Sequence, residues 1–334
     1  MAGLELGYFL SSEEHAPSKL VANAAAAHQA GFRSAMISDH LRAWTPAQGN
    51  ASFVWGVIGA ISQAAPGLEV GTGVSAAVRR IHPVTLAHAA ATASLLLGGR
   101  FFLGLGTGER LNEQVTGERW PRAGERREAL EETLPLLREL LSGRTVNHRG
   151  RHVTLERARL DSVPGSVPPI LVAASGKRAA RLAGELADGM IGVAPDASVV
   201  EAFEAAGGSG KPRFAQLKVS WAADREEAVA TARHWFPTEG LPPQLLSELA
   251  TPAELAAAAE LVDDDRIARA IVCGPDVGPV VAAVHRLVAT GFTRVYLHQV
   301  GPDQAGFLGF VRRELVPALG ADLSDTPLAS GRPA

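Results

Sequence analysis

Short apolar, β-branched runs alternate with Ala/Leu-rich helical runs along almost the whole chain, and this alternation constrains the fold more than any other feature. Strand candidates occupy 4–10, 34–39, 68–75, 100–106, 169–174, 189–193, 213–222 and 294–300. Helix-period segments lie between them at 17–31, 53–64, 83–98, 122–142, 177–187, 197–206, 225–236 and 278–290, with a last one at 304–319. Eight strands, each followed by a helix, predict a closed parallel (β/α)8 TIM barrel. The strand runs are apolar on both faces, as expected when helices cover one side and a filled barrel lies on the other. Pro17 and Pro83 sit where a first helical turn tolerates proline, and Gly31, Gly143 and Gly291 fall just past helix ends. An open doubly wound sheet is the rival architecture. It calls for a glycine-rich loop after the first strand, but here that strand leads into Ser11-Ser12-Glu13-Glu14-His15. The Gly104-Leu105-Gly106 pattern follows the fourth strand and lacks the rest of a dinucleotide fingerprint.

Two segments interrupt the repeat. Residues 145–163 alternate at period two around an Arg-Gly turn and predict a β-hairpin inserted before strand five. Residues 237–267, with Pro237, Pro242, Pro243 and Pro252, form a long insertion between strands seven and eight, on the side of a barrel that shapes substrate pockets. Residues 1–320 therefore read as a single domain and 321–334 as a flexible C-terminal tail. Hydrophobic residues make up 46% and charged residues 20%, enough apolar material for one large core.

Several function classes are disfavoured. The net charge is −3 and no stretch is dense in Lys and Arg with interleaved aromatics, so nucleic acid is not an expected partner. The apolar stretch 83–98 is broken by His88, Thr92 and Ser94 and is too short for a membrane span. A lone cysteine, Cys273, excludes an internal disulfide framework; with no signal-peptide pattern at the start, a cytoplasmic location is expected. Of the ten histidines only His148 and His152 show His-x-x-x-His spacing, and they flank the Arg-Gly hairpin turn rather than one helix face, so no metal site is expected; no Gly-x-Ser-x-Gly elbow is present.

In a barrel, polar residues at strand carboxyl ends are the first candidates for chemistry. After strand two comes Ser38-Asp39-His40-Leu41-Arg42-Ala43-Trp44: an imidazole that can take a proton near neutral pH, a neighbouring carboxylate and a flat ring for stacking. The plainer reading is a turn leading into a helix, capped by Asp39. After strand four comes Gly106-Thr107-Gly108-Glu109-Arg110-Leu111-Asn112-Glu113. Its glycines permit close backbone approach to a ligand, with Glu109 at the mouth; Glu109 and Glu113 would equally suit a helix N-terminus. After strand five, Ala173-Ala174-Ser175-Gly176 leads into Lys177 and Arg178, either an anion-binding helix N-terminus or an ordinary tight junction. Gly71-Thr72-Gly73-Val74 in strand three marks a bulge or a close ligand. Glu13 after strand one, and Lys218 with Trp221 on strand seven, complete the set. Together, His, Glu, Trp and Asn around a phosphate-ready mouth fit a cofactor-dependent redox enzyme.

These residues also carry a resemblance. Leu6-Gly7-Tyr8 with Glu13 and Pro17, Ser38-Asp39-His40 with Trp44, Gly71-Thr72-Gly73-Val74, Arg100 through Glu109 with Leu111-Asn112-Glu113, Thr116 through Pro121, Ala173 through Gly176 and Lys218 occur in an order that resembles the luciferase-like flavin and deazaflavin barrels. The similarity spans about residues 4–320 and is strongest to the branch of F420-dependent glucose-6-phosphate dehydrogenases. It implies that Asp39, a cis Gly73–Val74 bond, Thr107, Gly108, Asn112 and the Ala173–Gly176 loop bind coenzyme F420, with FMN as the alternative cofactor. It implies His40 as the base for an alcohol proton, Glu109 as an acid near the ring and Trp44 as a positioning residue. Glu13, Lys218 and Arg269 fall in the implied substrate pocket. The branch's phosphate-holding lysines align with Asp196 and Leu245, and only its arginine is matched, by Arg269. A carboxylate ~5 Å from a phosphate costs roughly 3 kcal/mol at an effective dielectric near ~20. The expectation is therefore an F420-dependent oxidoreductase for a small-molecule alcohol or carbonyl compound other than glucose 6-phosphate. An FMN-dependent reductase or monooxygenase and a non-catalytic flavin-binding barrel are the alternatives. A homodimer packed through barrel helices, including 83–98, is also implied.

Overall fold

The computed structural model describes residues 4–77, 79–321 and 323. Eight strands form the barrel: β1 (Glu5–Leu10), β2 (Ser34–Ile37), β3 (Glu69–Thr72), β4 (Phe101–Gly106), β5 (Ile170–Ala173), β6 (Gly189–Gly192), β7 (Arg213–Ser220) and β8 (Arg294–Gln299). Each is parallel to the next, β6 pairs with β7, and β8 pairs with both β7 and β1, which closes the ring. All eight lie within the expected runs. The third run is split: its strand ends at Thr72, the Gly73–Val74 bond is cis, and Ser75–Ala76 resumes pairing against β4.

Period-two alternation divides the strands into two faces. The outward face packs under the helices in the main hydrophobic cluster. The inward face forms a separate plug of Phe9, Met36, Phe102, Leu171, Ile191, Phe214 and Tyr296. Two glycines make room for its rings: a Cβ on Gly7 would run into Tyr296, and one on Gly71 into Phe102. Gly71 thus serves packing within the barrel rather than ligand approach.

Arg294 closes the amino end of the barrel. Its guanidinium lies 2.5 Å from Glu5 and 3.0 Å from the Ser34 hydroxyl, pairs with Glu69, and stacks 4.7 Å from the centre of the Phe214 ring. The side chain is 2% exposed.

Proline opens the helices Pro17–Gln29 and Pro83–Leu96, and Gly31, Gly143 and Gly291 adopt φ values of 112°, 81° and 103° just beyond helix ends. The hairpin before β5 is present, Val146–Arg149 against Thr154–Ala158, and Glu132 accepts from the amides of His152 and Val153 to hold it on the helix Ala123–Leu141. The run 304–319 is not one regular helix; a wider turn at Val311–Leu315 separates Gln304–Phe310 from Val316–Leu319. The 237–267 insertion contains the turn Pro237–Gly240 and the short helices Pro243–Glu248 and Pro252–Ala259, and Asp264–Ala270 follows. It has its own small core, in which Phe236, Leu241, Val262 and Ile267 pack with Ala228, Ala232, Cys273 and Val300. Val272–Cys273 then pairs with the carboxyl end of β7, which extends past its pairing with β6. Apart from Ala321 and Leu323, the expected C-terminal tail lies outside the described residues. Among the described residues no helix is long and apolar enough to cross a membrane.

Removing one partner of a buried ion pair strands the other charges. Arg294→Ala is expected to lower the unfolding free energy by ~3–5 kcal/mol in urea titration, because Glu69 would remain buried without its guanidinium.

Candidate active site

Three segments at the carboxyl ends of β1, β2 and β4 converge on His40. Glu13 comes from the turn after β1, where the Ser11 and Ser38 hydroxyls donate to its Oε2 at 2.9 and 2.8 Å and Ser12 donates to Oε1 at 3.3 Å. That serine cradle fixes a carboxylate whose side chain is 3% exposed. The Glu13 Oε1 lies 2.9 Å from His40 Nδ1 but off the N–H direction, so the contact is an ion-pair approach rather than an aligned hydrogen bond. On the other side, Glu109 Oε2 stands 3.5 Å from His40 Nε2. Trp44 meets the imidazole edge-on, with ring centres 5.1 Å apart. The Trp44 amide is held at 2.9 Å by Gln48, whose side chain donates across to the Trp235 carbonyl.

The electrostatics follow from this sandwich. Burial works against an imidazolium, but the Glu13 and Glu109 carboxylates outweigh it and hold the His40 pKa up at about 9. For Glu13, burial pushes upward, and the close His40 charge together with the Ser38 hydrogen bond outweighs it, bringing the carboxyl to about 2. Glu109 moves the other way, raised by burial more than His40 lowers it. Two carboxylates of opposite tendency thus flank one imidazole, an arrangement suited to receiving and releasing a proton.

Asp39, one residue earlier, is turned away from this cluster. Its side chain is fully buried, accepts from the Ser75 hydroxyl at 2.6 Å and pairs with Arg80 at 2.9 Å. Arg80 also reaches Glu113 at 3.4 Å, and Glu113 accepts from the Arg80 amide at 2.8 Å. Sequence reasoning missed the pairing of Arg80 with Asp39 and Glu113; Glu113 reads there only as a carboxylate suited to a helix N-terminus. The polar side chains of a buried Asp–Arg–Glu set lie far apart in sequence, and only the spacing of β2, β3 and β4 brings them together.

Asn112 acts as a clamp. Its Oδ1 accepts from the amides of Leu41 and Arg42 at 2.9 and 3.1 Å, and its Nδ2 donates to Glu109 at 3.3 Å, so most of its hydrogen-bonding capacity binds the two loops together. Gly73, Val74, Thr107 and Gly108 are half-buried around the same opening. A Cβ on Gly106 would crowd Val74, and Gly108 has a φ of 77°. After β5, Ala174 is buried while Ser175 is exposed, and the helix Lys177–Leu186 begins at Gly176 with no side-chain cap, leaving its first amides free for an anion.

The three substrate-pocket candidates separate. Glu13 lies beneath His40 rather than on the open side. Lys218 is half-buried and pairs with Glu239 at 2.7 Å. Arg269 is exposed in the last turn of Asp264–Ala270 and makes no hydrogen bond or ion pair with the His40 cluster. A further pair, absent from the sequence expectations, sits below: Glu14 holds His298 at 2.7 Å and the Gly301 amide at 2.7 Å, and Gln216 meets the other His298 nitrogen at 2.9 Å.

The profile of the family described as Luciferase-like monooxygenase matches residues 4–294. The chain belongs to that family. The F420-dependent glucose-6-phosphate dehydrogenase of Mycolicibacterium fortuitum is 34% identical over 333 residues, covering 96% of this chain and 99% of its own. The F420-dependent hydroxymycolic acid dehydrogenase of Mycobacterium tuberculosis (strain ATCC 25618 / H37Rv) is 34% identical over 94% of this chain and 88% of its own. Among solved structures, an F420-dependent secondary alcohol dehydrogenase in complex with an F420-acetone adduct superposes with a TM-score of 0.87 at 27% identity, over 94% of this chain and 98% of that one. The resemblance to the F420-dependent branch is borne out.

The ion-pair origin of the His40 shift is testable by proton NMR. The wild-type ring is expected to titrate near pH 9, and Glu13→Gln should bring it down toward the ordinary histidine range. An unchanged midpoint in the variant would remove Glu13 as the cause.

Proposed function

We propose that the protein is an F420-dependent oxidoreductase that interconverts an alcohol and its carbonyl partner, and that glucose 6-phosphate is not its substrate. The observation that carries this reading is the His40 imidazole between Glu13 and Glu109, opening onto a cradle lined by Gly73, Val74, Thr107 and Gly108. The F420 dependence of the relatives supports it. The residues present fit the cofactor. The Gly73–Val74 segment and Gly108 offer backbone without bulky side chains, and the uncapped amides at Gly176–Lys177 suit a phosphate. Asp39, fixed by Arg80 and Ser75, keeps acceptor positions for a ring N–H. When bound, the deazaflavin supplies the two-electron acceptor for a hydride from the carbinol carbon.

The chain's own residues handle the proton. His40 takes it from the substrate hydroxyl, Glu13 stabilises the resulting imidazolium, and Trp44 limits the approach to one side of the ring. In the reverse direction the imidazolium returns the proton to the carbonyl oxygen. Asp196, which the resemblance aligns with a phosphate-holding lysine, is exposed and caps its helix through Ser198 at 2.9 Å, and a carboxylate at that position disfavours a sugar phosphate.

The protein is further read as cytoplasmic, with its thiol buried, and as a homodimer. Phe53 (64% exposed) at the start of the helix Val54–Ala64, and Leu95 and Leu96 on Pro83–Leu96, supply apolar surface for such packing.

Fluorescence titration is expected to show F420 binding at least tenfold tighter than FMN, a difference of ~1.4 kcal/mol. His40→Ala should retain that binding while losing ~100-fold or more in turnover. Alcohol oxidation needs the neutral imidazole, a minority form below about 9, so kcat/KM should climb with pH toward about 9. Carbonyl reduction needs the imidazolium and should fall above that pH. Saturable turnover of glucose 6-phosphate at low millimolar concentration would falsify the exclusion of that sugar.

A further inference from the structure

The inward face of β7 runs Phe214, Gln216, Lys218. Phe214 belongs to the barrel plug, Gln216 bonds to His298, and Lys218 stands one step nearer the mouth, in register with His298. Among the eight strands, Arg213 and Arg294 begin β7 and β8 at the amino end, so Lys218 is the one strand cation aimed at the carboxyl end, where the chemistry gathers. Left free, it would attract an anionic substrate. It is not free. Glu239 Oε1 lies 2.7 Å from its ammonium, and the Phe236 ring lies 5.2 Å away, leaving the two charged side chains 16% and 25% exposed.

Glu239 is held there by its surroundings. It lies in the turn Pro237–Gly240, where the Leu241 amide returns to the Thr238 carbonyl and a Cβ on Gly240 would run into Val262. Phe236, just before the turn, is buried in the insertion's core. The neighbouring carbonyl of Trp235 is tied by Gln48 to the loop that carries Trp44. The insertion therefore delivers a fixed carboxylate to a barrel lysine.

Apolar side chains are also exposed around the mouth. Of the large hydrophobic side chains that remain exposed, Leu41 (47%), Val115 (46%), Val193 (60%) and Leu245 (37%) lie on the segments that follow β2, β4, β6 and β7. Val193 continues the inward line of Ile191.

We propose that Glu239 is a specificity-determining residue: by holding Lys218 it closes the mouth to anionic substrates, so the substrate is an uncharged alcohol or ketone with an apolar body. This rests on the oxidoreductase reading above, and the test separates the two. F420 binding is measured first by fluorescence; its absence would overturn the underlying reading. With binding shown, wild type is assayed on uncharged secondary alcohols from 2-propanol to 2-octanol and on hydroxy acids of matching length. The expected result is kcat/KM rising up to about fourfold per methylene, as each is buried, and at least tenfold preference over the acids. Inorganic phosphate is then tested as a competitive inhibitor. Glu239→Gln should lower its inhibition constant at least tenfold, and Lys218→Met/Glu239→Gln should cancel that gain. Acids turned over as well as alcohols, no turnover of any panel member by F420-loaded enzyme, or phosphate inhibition unchanged in a folded Glu239→Gln would each overturn the proposal. The wild-type comparison decides it even if the variant does not fold.

Discussion

The Glu13 carboxylate and the His40 imidazole meet where little water reaches, and much of the site depends on their meeting. Desolvation alone would leave the acid protonated and the base neutral. Their mutual attraction reverses both tendencies, and three serine hydroxyls complete the bonding of the carboxylate. The imidazole is then committed in position as well as charge. Glu109 and Trp44 are arranged around it, and Asn112 ties the Glu109 loop to the His40 loop. Glu14, next to Glu13, makes a second acid–histidine contact with His298 that anchors the same turn to β8. One dipeptide thus fixes two histidines, one in the loop after β2 and one on β8.

Much of the fold was legible because it depends on local period. Alternation gave the eight strands, proline marked two helix starts, and the Arg-Gly turn gave the hairpin. The limits were less accurate where tertiary contacts decide them: 34–39 shortens to Ser34–Ile37, since Ser38, Asp39 and His40 turn their side chains to partners outside the strand. Site residues were legible as positions and less so as roles. Asp39 and His40 were expected to do different jobs, and they do face different partners. The tie of Asp39 to Arg80, the clamp at Asn112 and the pairing of Lys218 with Glu239 join residues with one or more elements between them, and no spacing in the sequence encodes them.

A common electrostatic pattern runs through the barrel. Arg294 at the amino end, Arg80 beside the loop after β2 and Lys218 at the mouth are each matched by carboxylates from other segments. Buried pairs of this kind add little net stability compared with apolar packing, but leaving one partner alone is costly. Their effect is to make one arrangement of loops much better than its neighbours. That suits the proposed reaction, in which a hydride leaves a carbon and a proton leaves the oxygen attached to it in a defined geometry.

The insertion between β7 and β8 keeps its own apolar core and meets the barrel through the edge strand Val272–Cys273, the helix Arg225–Trp235 and the ion pairs Lys218–Glu239 and Arg126–Glu248. Such a segment can change its sequence without repacking the plug or the outer shell. The barrel then behaves as an engine and the insertion as a replaceable faceplate. Lineages built on this frame could acquire new substrates by rewriting some thirty residues, leaving the proton-handling machinery untouched.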